Sequence, residues 1–145
     1  MKDYLAKRDV KLKWIGPAPE WKNRVALLIP QFNENSHCNM ESRLDYYSKI
    51  SDEFRDRLDV ILIDDGSTDD SLDIISKFLD KRPNAFSLVS VSPNANKVGA
   101  LCLTPWAIKH EFVILSDFDT DIVGLERIFE HFAVLQNDPW LMGFY

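Results

Sequence analysis

The chain has 145 residues, of which 46% are hydrophobic, 12% aromatic and 28% charged. This length and composition support one domain with an apolar core and exclude disordered and collagen-like chains. Lysine and arginine number 17 against 23 aspartate and glutamate, which gives a formal net charge of −6. The acidic balance argues against nucleic acid as the main partner and favours a site that binds a cation or a neutral ligand.

Hydropathy and cysteine content predict the compartment. The longest apolar runs, at 25–29 and 60–63, have the length of strands, whereas a membrane-spanning helix needs about 20 apolar residues. The charged start of the chain has no apolar stretch typical of a secretory signal. Cys38 and Cys102 form neither a CxxC pair nor a disulfide framework, which favours a reducing compartment. We therefore expect a protein in the cytoplasm or at the cytoplasmic face of a membrane.

The chain divides into a short lead-in and one regular unit. Residues 1–23 mix lysines with scattered apolar residues and contain the break Gly16-Pro17-Ala18-Pro19, so they predict an N-terminal extension. In residues 24–145, short apolar runs at 25–29, 59–63, 86–91 and 112–115 predict strands. Apolar positions spaced by three and four predict helices after the first, second and fourth strands. This alternation predicts an α/β fold, a mainly parallel Rossmann-like sheet with helices on both faces.

Local signals refine three of these elements. Ser67 or Thr68 is expected to cap the helix after the second strand. Thr104 is expected to be the N-cap of a short helix with Pro105 at its first position, because a proline inside a helix removes a backbone donor. The third strand alternates more than the others, so we place it nearer a sheet edge.

Acidic residues follow the fourth strand, where ligands bind in parallel α/β sheets. Asp117, Asp119 and Asp121 lie within five positions and repel one another unless a cation or hydrogen-bond donors neutralise them. If the backbone stays extended there, Asp117 and Asp119 share one side and supply two oxygen ligands for Mg²⁺ or Mn²⁺. The alternative is a solvated turn before the next helix.

The ends of the first two strands carry further candidates. Asp64 and Asp65 end the second strand and can accept hydrogen bonds from a base or a ribose, while Gly66 permits a sharp turn. The alternative for this pair is an Asx turn. Phe32 and Glu34, after the first strand, suit a base platform and a ligand carboxylate, or equally a core lining and a surface charge.

Lys97 is an isolated positive charge in a neutral segment and suits a phosphate. The alternative is an ordinary exposed lysine. Neither of the two glycine-rich phosphate-binding signatures, G-x-x-x-x-G-K-[ST] and G-x-G-x-x-G, occurs in the sequence. The three histidines lack metal-ligand spacing, and we assign them no role.

Four segments in order resemble the successive signatures of family 2 glycosyltransferases with the GT-A fold. They are VALLIPQFNE (25–34), VILIDDGSTD (60–69), NKVGAL (96–101) and FVILSDFD (112–119). The resemblance covers about residues 24–145. It implies a nucleotide-diphospho-sugar donor, with a UDP-sugar favoured, a divalent metal, Mn²⁺ or Mg²⁺, and transfer of the sugar to an acceptor hydroxyl.

The resemblance also implies residue roles. Asp65 matches the acid that contacts the base, Lys97 a lysine near the donor phosphates, and Asp119 the more direct metal ligand of the D-x-D sequence. Combined with the reasoning from strand ends, the expected nucleotide-sugar contacts are Pro30, Phe32, Glu34, Asp64, Asp65, Lys97 and Asp117, and the expected metal ligands are Asp117 and Asp119.

The sequence departs from the family pattern in two places. Cys102 stands where the family usually has asparagine, and Thr104-Pro105 falls where the family has a continuous helix. In the family the acceptor half and its acidic catalytic base follow the D-x-D segment. We therefore expect the base beyond Tyr145, this chain to be the donor-binding half and inactive alone, and membrane contact only through a longer parent chain.

Two other functions fit part of the pattern. A non-catalytic nucleotide-sugar-binding or interaction module would keep the fold without turnover. A haloacid-dehalogenase-like phosphatase also has a strand ending in D-x-D, but its motif needs Thr or Val two residues after the second Asp, where this chain has Asp121.

Overall fold

The structure is a computed structural model that describes residues 9–16 and 23–137. Its five strands form one sheet in the order β1-β4-β3-β2-β5. β2 pairs in parallel with both β3 and β5, and β3 pairs in parallel with β4, while β1 is antiparallel to β4. The strands are β1 (Lys11–Ile15), β2 (Val25–Gln31), β3 (Leu58–Asp64), β4 (Ser87–Ser92) and β5 (Phe112–Leu115). The expected α/β fold with a mainly parallel sheet is confirmed.

Four α-helices cover the two faces of the sheet, and alternation along the strands divides the core between them. Val25, Leu27 and Ile29 of β2 face α1, α2 and α4, whereas Ala26 and Leu28 face α3. The helices are α1 (Met40–Glu53), α2 (Ser71–Lys81), α3 (Asn96–Ala107) and α4 (Leu125–Asn137), and a 3-10 turn spans Glu34–Ser36. No helix of the described ranges is long and apolar enough to cross a bilayer.

The two outer strands differ in character. β1 lies within the predicted N-terminal extension, covers β4, and exposes Lys11 and Lys13. β5 is the opposite outer strand, and its Val113 and Leu115 are 42% and 57% exposed. The third predicted strand, β4, is therefore one place in from the edge.

Two predicted helix starts are wrong. α3 runs continuously from Asn96 to Ala107 with Pro105 inside it, and the hydroxyl of Thr104 donates to the carbonyl of Ala100 at 2.9 Å instead of capping a new helix. α2 begins at Ser71, whose backbone N–H donates to Asp69 Oδ1 at 2.9 Å. Neither Ser67 nor Thr68 caps α2.

A polar cluster joins the amino ends of the parallel strands. Asp59 at the start of β3 accepts from the side-chain amide of Asn23 at 3.0 Å, and its other oxygen lies 2.7 Å from Nε2 of His110. Burial raises the pKa of Asp59, but the hydrogen bonds from His110 and Asn23 outweigh it, so the pKa lies below its usual value. The ionised carboxylate therefore stabilises the folded chain.

We expect Asp59→Asn to lower the free energy of unfolding at pH 7 by about 1 to 3 kcal/mol, as for loss of hydrogen bonds to a charged group. Because the folded pKa is depressed, the contribution is complete above the unfolded pKa and is lost as pH falls through the folded value. Urea unfolding of both proteins at pH 7 and near pH 3 would test this. A difference that stays constant with pH would contradict it.

Candidate functional site

A pocket of about 210 Å³ opens at the carboxyl ends of β2, β3 and β5. It combines residues from four separate segments of the chain, as expected for a sheet of parallel strands. Its lining consists of Pro30, Gln31, Phe32, Glu34, Asp65, Lys97, Asp117, Phe118 and Asp119. Seven of the eight candidate residues named from the sequence meet here, and Asp64 does not line the pocket.

Asn33 joins the loop after β2 to the loop after β3. Its backbone is left-handed at φ 56°, and its Oδ1 accepts from the backbone N–H of Thr68 at 2.8 Å and of Asp69 at 3.2 Å. Ser67 Oγ in turn accepts from the Asn33 N–H at 3.0 Å. The two loops that carry Phe32, Glu34 and Asp65 are thus held together, a role that the sequence analysis missed.

The neighbouring acids Asp64 and Asp65 have different surroundings. Asp64 is fully buried, and its carboxylate accepts from the side chains of Gln31 and Ser90. Asp65 lines the pocket although it is only 2% exposed, and its Oδ1 accepts from the backbone N–H of Ala95 at 2.7 Å. The carboxylate of Asp64 is therefore hydrogen-bonded inside the protein, away from the pocket. The carboxylate of Asp65 lines the pocket and also binds the backbone just before α3.

Gly66 allows a close approach between the loops after β3 and β4. It has a left-handed φ of 71°, and a Cβ there would lie 3.0 Å from Asn94 N and 3.1 Å from Val91 O. Both neighbours are backbone atoms, which cannot move aside as a side chain can. Gly124 has a similar φ of 75° with nothing near its missing Cβ.

We expect Gly124→Ala to destabilise the fold by about 1 to 2 kcal/mol through backbone strain alone. Gly66→Ala adds a clash with backbone and should cost about 1 kcal/mol or more beyond that. Thermal and urea unfolding of the two variants would measure the difference. Equal losses would show that the contact with Asn94 does not constrain the loop.

Glu34 lies among other acids. Partial burial raises its pKa most, and repulsion from Asp119 is the next largest effect. His37 lowers the pKa, and weaker repulsion from Asp69 and Asp117 raises it. The acidic side of the pocket therefore disfavours its own negative charge. A bound cation would relieve this repulsion.

Lys97 is the cation of the pocket lining, and it forms an ion pair with Asp117. Both side chains are about half exposed, 54% and 52%. Asp119 is exposed and lines the same pocket. The backbone is not extended through these acids as expected, because β5 ends at Leu115 and residues 118–119 form a turn. Asp117 and Asp119 reach one pocket through this turn.

The acidic turn rests on α1, a contact that the sequence analysis did not foresee. Arg43 of α1 forms an ion pair with Asp121 at 2.6 Å, so this third acid has its own cation and is not part of the pocket lining. Phe118 is buried, with its ring centroid 5.7 Å from that of Tyr47. Burial raises the pKa of Tyr47 to about 12, so its hydroxyl keeps its proton as a donor at neutral pH.

The donor set of the pocket suits a divalent cation bound jointly with a ligand. Within residues 9–16 and 23–137, no group of three or more His, Cys, Asp or Glu side chains is arranged to hold a metal by itself. Asp117 and Asp119 nevertheless offer hard carboxylate oxygens, and Mg²⁺ or Mn²⁺ commonly takes one or two carboxylates and completes its coordination with substrate phosphates. The residues therefore fit a metal bridged to a phosphorylated ligand.

Comparison with known proteins identifies relatives of this chain. The family model of glycosyl transferase family 2 matches residues 27–121. A search of curated protein sequences gave no match. A similar solved structure is the mannosyltransferase PcManGT from Pyrobaculum calidifontis in complex with GDP-Man and Mn²⁺, with 26% identity and a TM-score of 0.62. That alignment covers 88% of this chain and 36% of the mannosyltransferase.

Residues 1–349 of S. aureus TarS, solved alone and in complex with UDP, share the fold at 23% identity and a TM-score of 0.52. The alignment covers 79% of this chain and 32% of TarS. The chain thus spans about a third of each of these solved structures. The family match covers more than half of the chain, and its residues include the whole pocket lining. The chain belongs to glycosyl transferase family 2.

Proposed function

We propose that this chain is the donor-binding half of a glycosyltransferase. It binds a nucleotide-diphospho-sugar, with a UDP-sugar as the proposed donor, together with Mn²⁺ or Mg²⁺. Joined to an acceptor half, it transfers the sugar to an acceptor hydroxyl. The observation that carries the proposal is the convergence of seven sequence-derived candidates on one pocket of a family 2 fold.

The pocket divides into a base end and a phosphate end in this proposal. Phe32, 43% exposed, offers an aromatic face to a nucleobase. Asp65 and Glu34 provide acceptors for base N–H groups or ribose hydroxyls. Lys97 would pair with the diphosphate, which would leave Asp117 available to hold the metal.

Asp117 and Asp119 are the proposed metal ligands. When bound, the metal neutralises charge that develops on the departing nucleoside diphosphate. Asp117 and Asp119 would act on the diphosphate through the metal that they hold, and Lys97 would contact it directly. We assign no residue of this half as the catalytic base. We propose that the base lies in the acceptor half, beyond Tyr145.

A non-catalytic binding module is the second candidate, and it predicts the same nucleotide binding without transfer. The family match and the mannosyltransferase neighbour favour the enzyme. Neither gives support to the haloacid-dehalogenase-like phosphatase. Transfer by the chain joined to its acceptor half, abolished by Asp119→Asn, would separate the enzyme from the module.

We expect calorimetric titration with UDP and Mn²⁺ to show binding that is weaker without metal. Asp119→Asn should lower the affinity in Mn²⁺ at least tenfold, or about 1.4 kcal/mol, because one proposed ligand is lost. GDP titrated in parallel reports the nucleotide preference. The matched control is Asp80→Asn, an exposed acid on α2 outside the pocket.

Absence of heat with both UDP and GDP, or identical binding by wild type and Asp119→Asn, would refute the proposed function. A stronger response to GDP than to UDP would keep the proposed site and change the proposed donor.

Replacement of Lys97 is predicted to weaken the binding of one ligand and not that of another. Lys97→Met should weaken nucleotide diphosphate binding by about tenfold, because a cation facing the phosphates is lost. The same change frees Asp117 from its ion pair, so Mn²⁺ without nucleotide should bind at least as tightly as to wild type. Electron paramagnetic resonance of free Mn²⁺ would measure the second effect.

The control is Lys77→Met, since Lys77 pairs with Asp73 on the exposed side of α2. Weaker binding of both ligands to Lys97→Met would contradict the exchange of Lys97 between Asp117 and phosphate.

A further inference from the structure

The acidic segment 117–122 has few hydrogen bonds of its own. It leaves β5 at Leu115, and its backbone contact from Thr120 N to Asp117 O is long at 3.3 Å. A segment of this kind needs tertiary contacts to hold two neighbouring carboxylates in fixed positions. Those contacts come from one face of α1.

Arg43 is the centre of that face. Its guanidinium donates to the carbonyl oxygens of Phe118 at 2.9 Å and Thr120 at 2.7 Å, and to the carboxylate of Asp121 at 2.6 Å. Its side chain is only 15% exposed, although Asp121 is 75% exposed. Arg43 thus binds the backbone of the segment as well as a surface acid.

Two tyrosines of α1 hold the same segment and fix the guanidinium. The hydroxyl of Tyr47 lies 2.9 Å from the carbonyl oxygen of Phe118 and 3.2 Å from that of Asp117. The hydroxyl of Tyr46 accepts from the N–H of Ile122 at 2.6 Å. The Arg43 Cζ lies 4.6 Å and 5.1 Å from the ring centroids of Tyr46 and Tyr47, within cation-π range.

These contacts fix which groups of the segment face the pocket. The backbone carbonyls of 117, 118 and 120 are used by α1, and the ring of Phe118 packs on Tyr47. The side chains of Asp117 and Asp119 are not used by α1, and both line the pocket. A loss of the anchors would leave both carboxylates free to move apart.

We propose that Arg43, with Tyr46 and Tyr47, positions the acidic segment so that Asp117 and Asp119 act on one ligand-bound cation. Arg43 does not touch the ligand in this inference and is a positioning residue. Its effect on metal binding rests on the proposed function, whereas its hold on the segment stands independently of it.

The test compares variants that remove the anchors but keep the apolar packing. Arg43→Met keeps an unbranched apolar stem, Tyr47→Phe keeps the ring and removes the hydroxyl, and Arg43→Lys keeps a cation with fewer donors. Arg57→Met is the matched control, since Arg57 also makes two side-chain hydrogen bonds, to Glu126, and stacks on Phe54 and Phe129. Thermal unfolding first establishes that each variant is folded.

Amide hydrogen exchange of residues 117–122, followed by mass spectrometry, measures the hold on the segment. We expect exchange about tenfold faster in Arg43→Met, faster in Tyr47→Phe, and intermediate in Arg43→Lys. The strands β2 and β3 and the Arg57→Met control should exchange as in wild type. Unchanged exchange at 117–122 in the folded Arg43→Met and Tyr47→Phe variants would overturn the inference.

Calorimetry with UDP or GDP, each with Mn²⁺ and with a chelator, measures the consequence for the site. Arg43→Met should lose about tenfold in the Mn²⁺-dependent part of the affinity and keep the metal-free part, which a general loss of structure would not do. If Arg43→Met exchanged faster at 117–122 but kept its full Mn²⁺-dependent affinity for nucleotide, the positioning role of Arg43 would be overturned. A wild type that binds no nucleotide would refute the proposed function, and the exchange result would still decide whether Arg43 holds the segment. Should Arg43→Met fail to fold, Tyr47→Phe decides by the same two measurements.

Discussion

The parallel pairing of β2 with both β3 and β5 is the constraint on which the site depends. It brings three carboxyl ends to one edge, so loops that are distant in sequence meet there. All seven residues of β2 are buried, which fixes its two faces and therefore the register of both neighbours. The cluster of Asn23, Asp59 and His110 joins the opposite ends of the same strands. Both ends of the central sheet are thus held by polar contacts between sequence-distant residues.

The site concentrates negative charge and neutralises only part of it. Asp121 forms an ion pair with Arg43, and Asp117 forms one with Lys97. Glu34 has a raised pKa because burial and nearby acids disfavour its charge. Such a site costs the apo fold some stability and favours ligands that bring positive charge. The proposed nucleotide with a divalent metal would meet this requirement, since the metal would offset the acids and Lys97 would offset the phosphate.

Hydrophobic patterning predicted the four parallel strands, because buried strands must be apolar regardless of their partners. It did not predict β1, whose residues were assigned to an N-terminal extension. The patterning also placed Phe32, Glu34, Asp65, Asp117 and Asp119 near one another, because carboxyl ends of parallel strands share an edge. Lys97 was predicted instead from its isolated charge and from the family resemblance. The two wrong helix starts came from local signals. A helix already stabilised by packing of Ala100 tolerates Pro105 near its end. The N-cap position of α2 is Asp70, and the N–H of Ser71 donates to Asp69 and not to Ser67 or Thr68.

The contacts of Arg43 and Asn33 could not be predicted from the sequence. Arg43 lies 78 positions from Asp121 and Asn33 lies 35 from Thr68, and no local pattern encodes which backbone groups meet across such distances. Period-two spacing likewise misled for Asp117 and Asp119, since β5 ends before them. The predicted strand order locates the site at one edge of the sheet. The orientation of the site's side chains depends on how α1 packs against segment 117–122.

The two edge strands of the sheet differ in the side chains that they expose. β1 exposes Lys11 and Lys13, and lysines on an outer strand discourage pairing with another strand. β5 has the sequence FVIL and exposes Val113 and Leu115. The edge formed by β1 therefore carries exposed charges, whereas the edge strand β5 carries exposed apolar side chains. Pairing with a further strand is therefore less disfavoured beside β5, the strand that leads into the acidic segment, than beside β1.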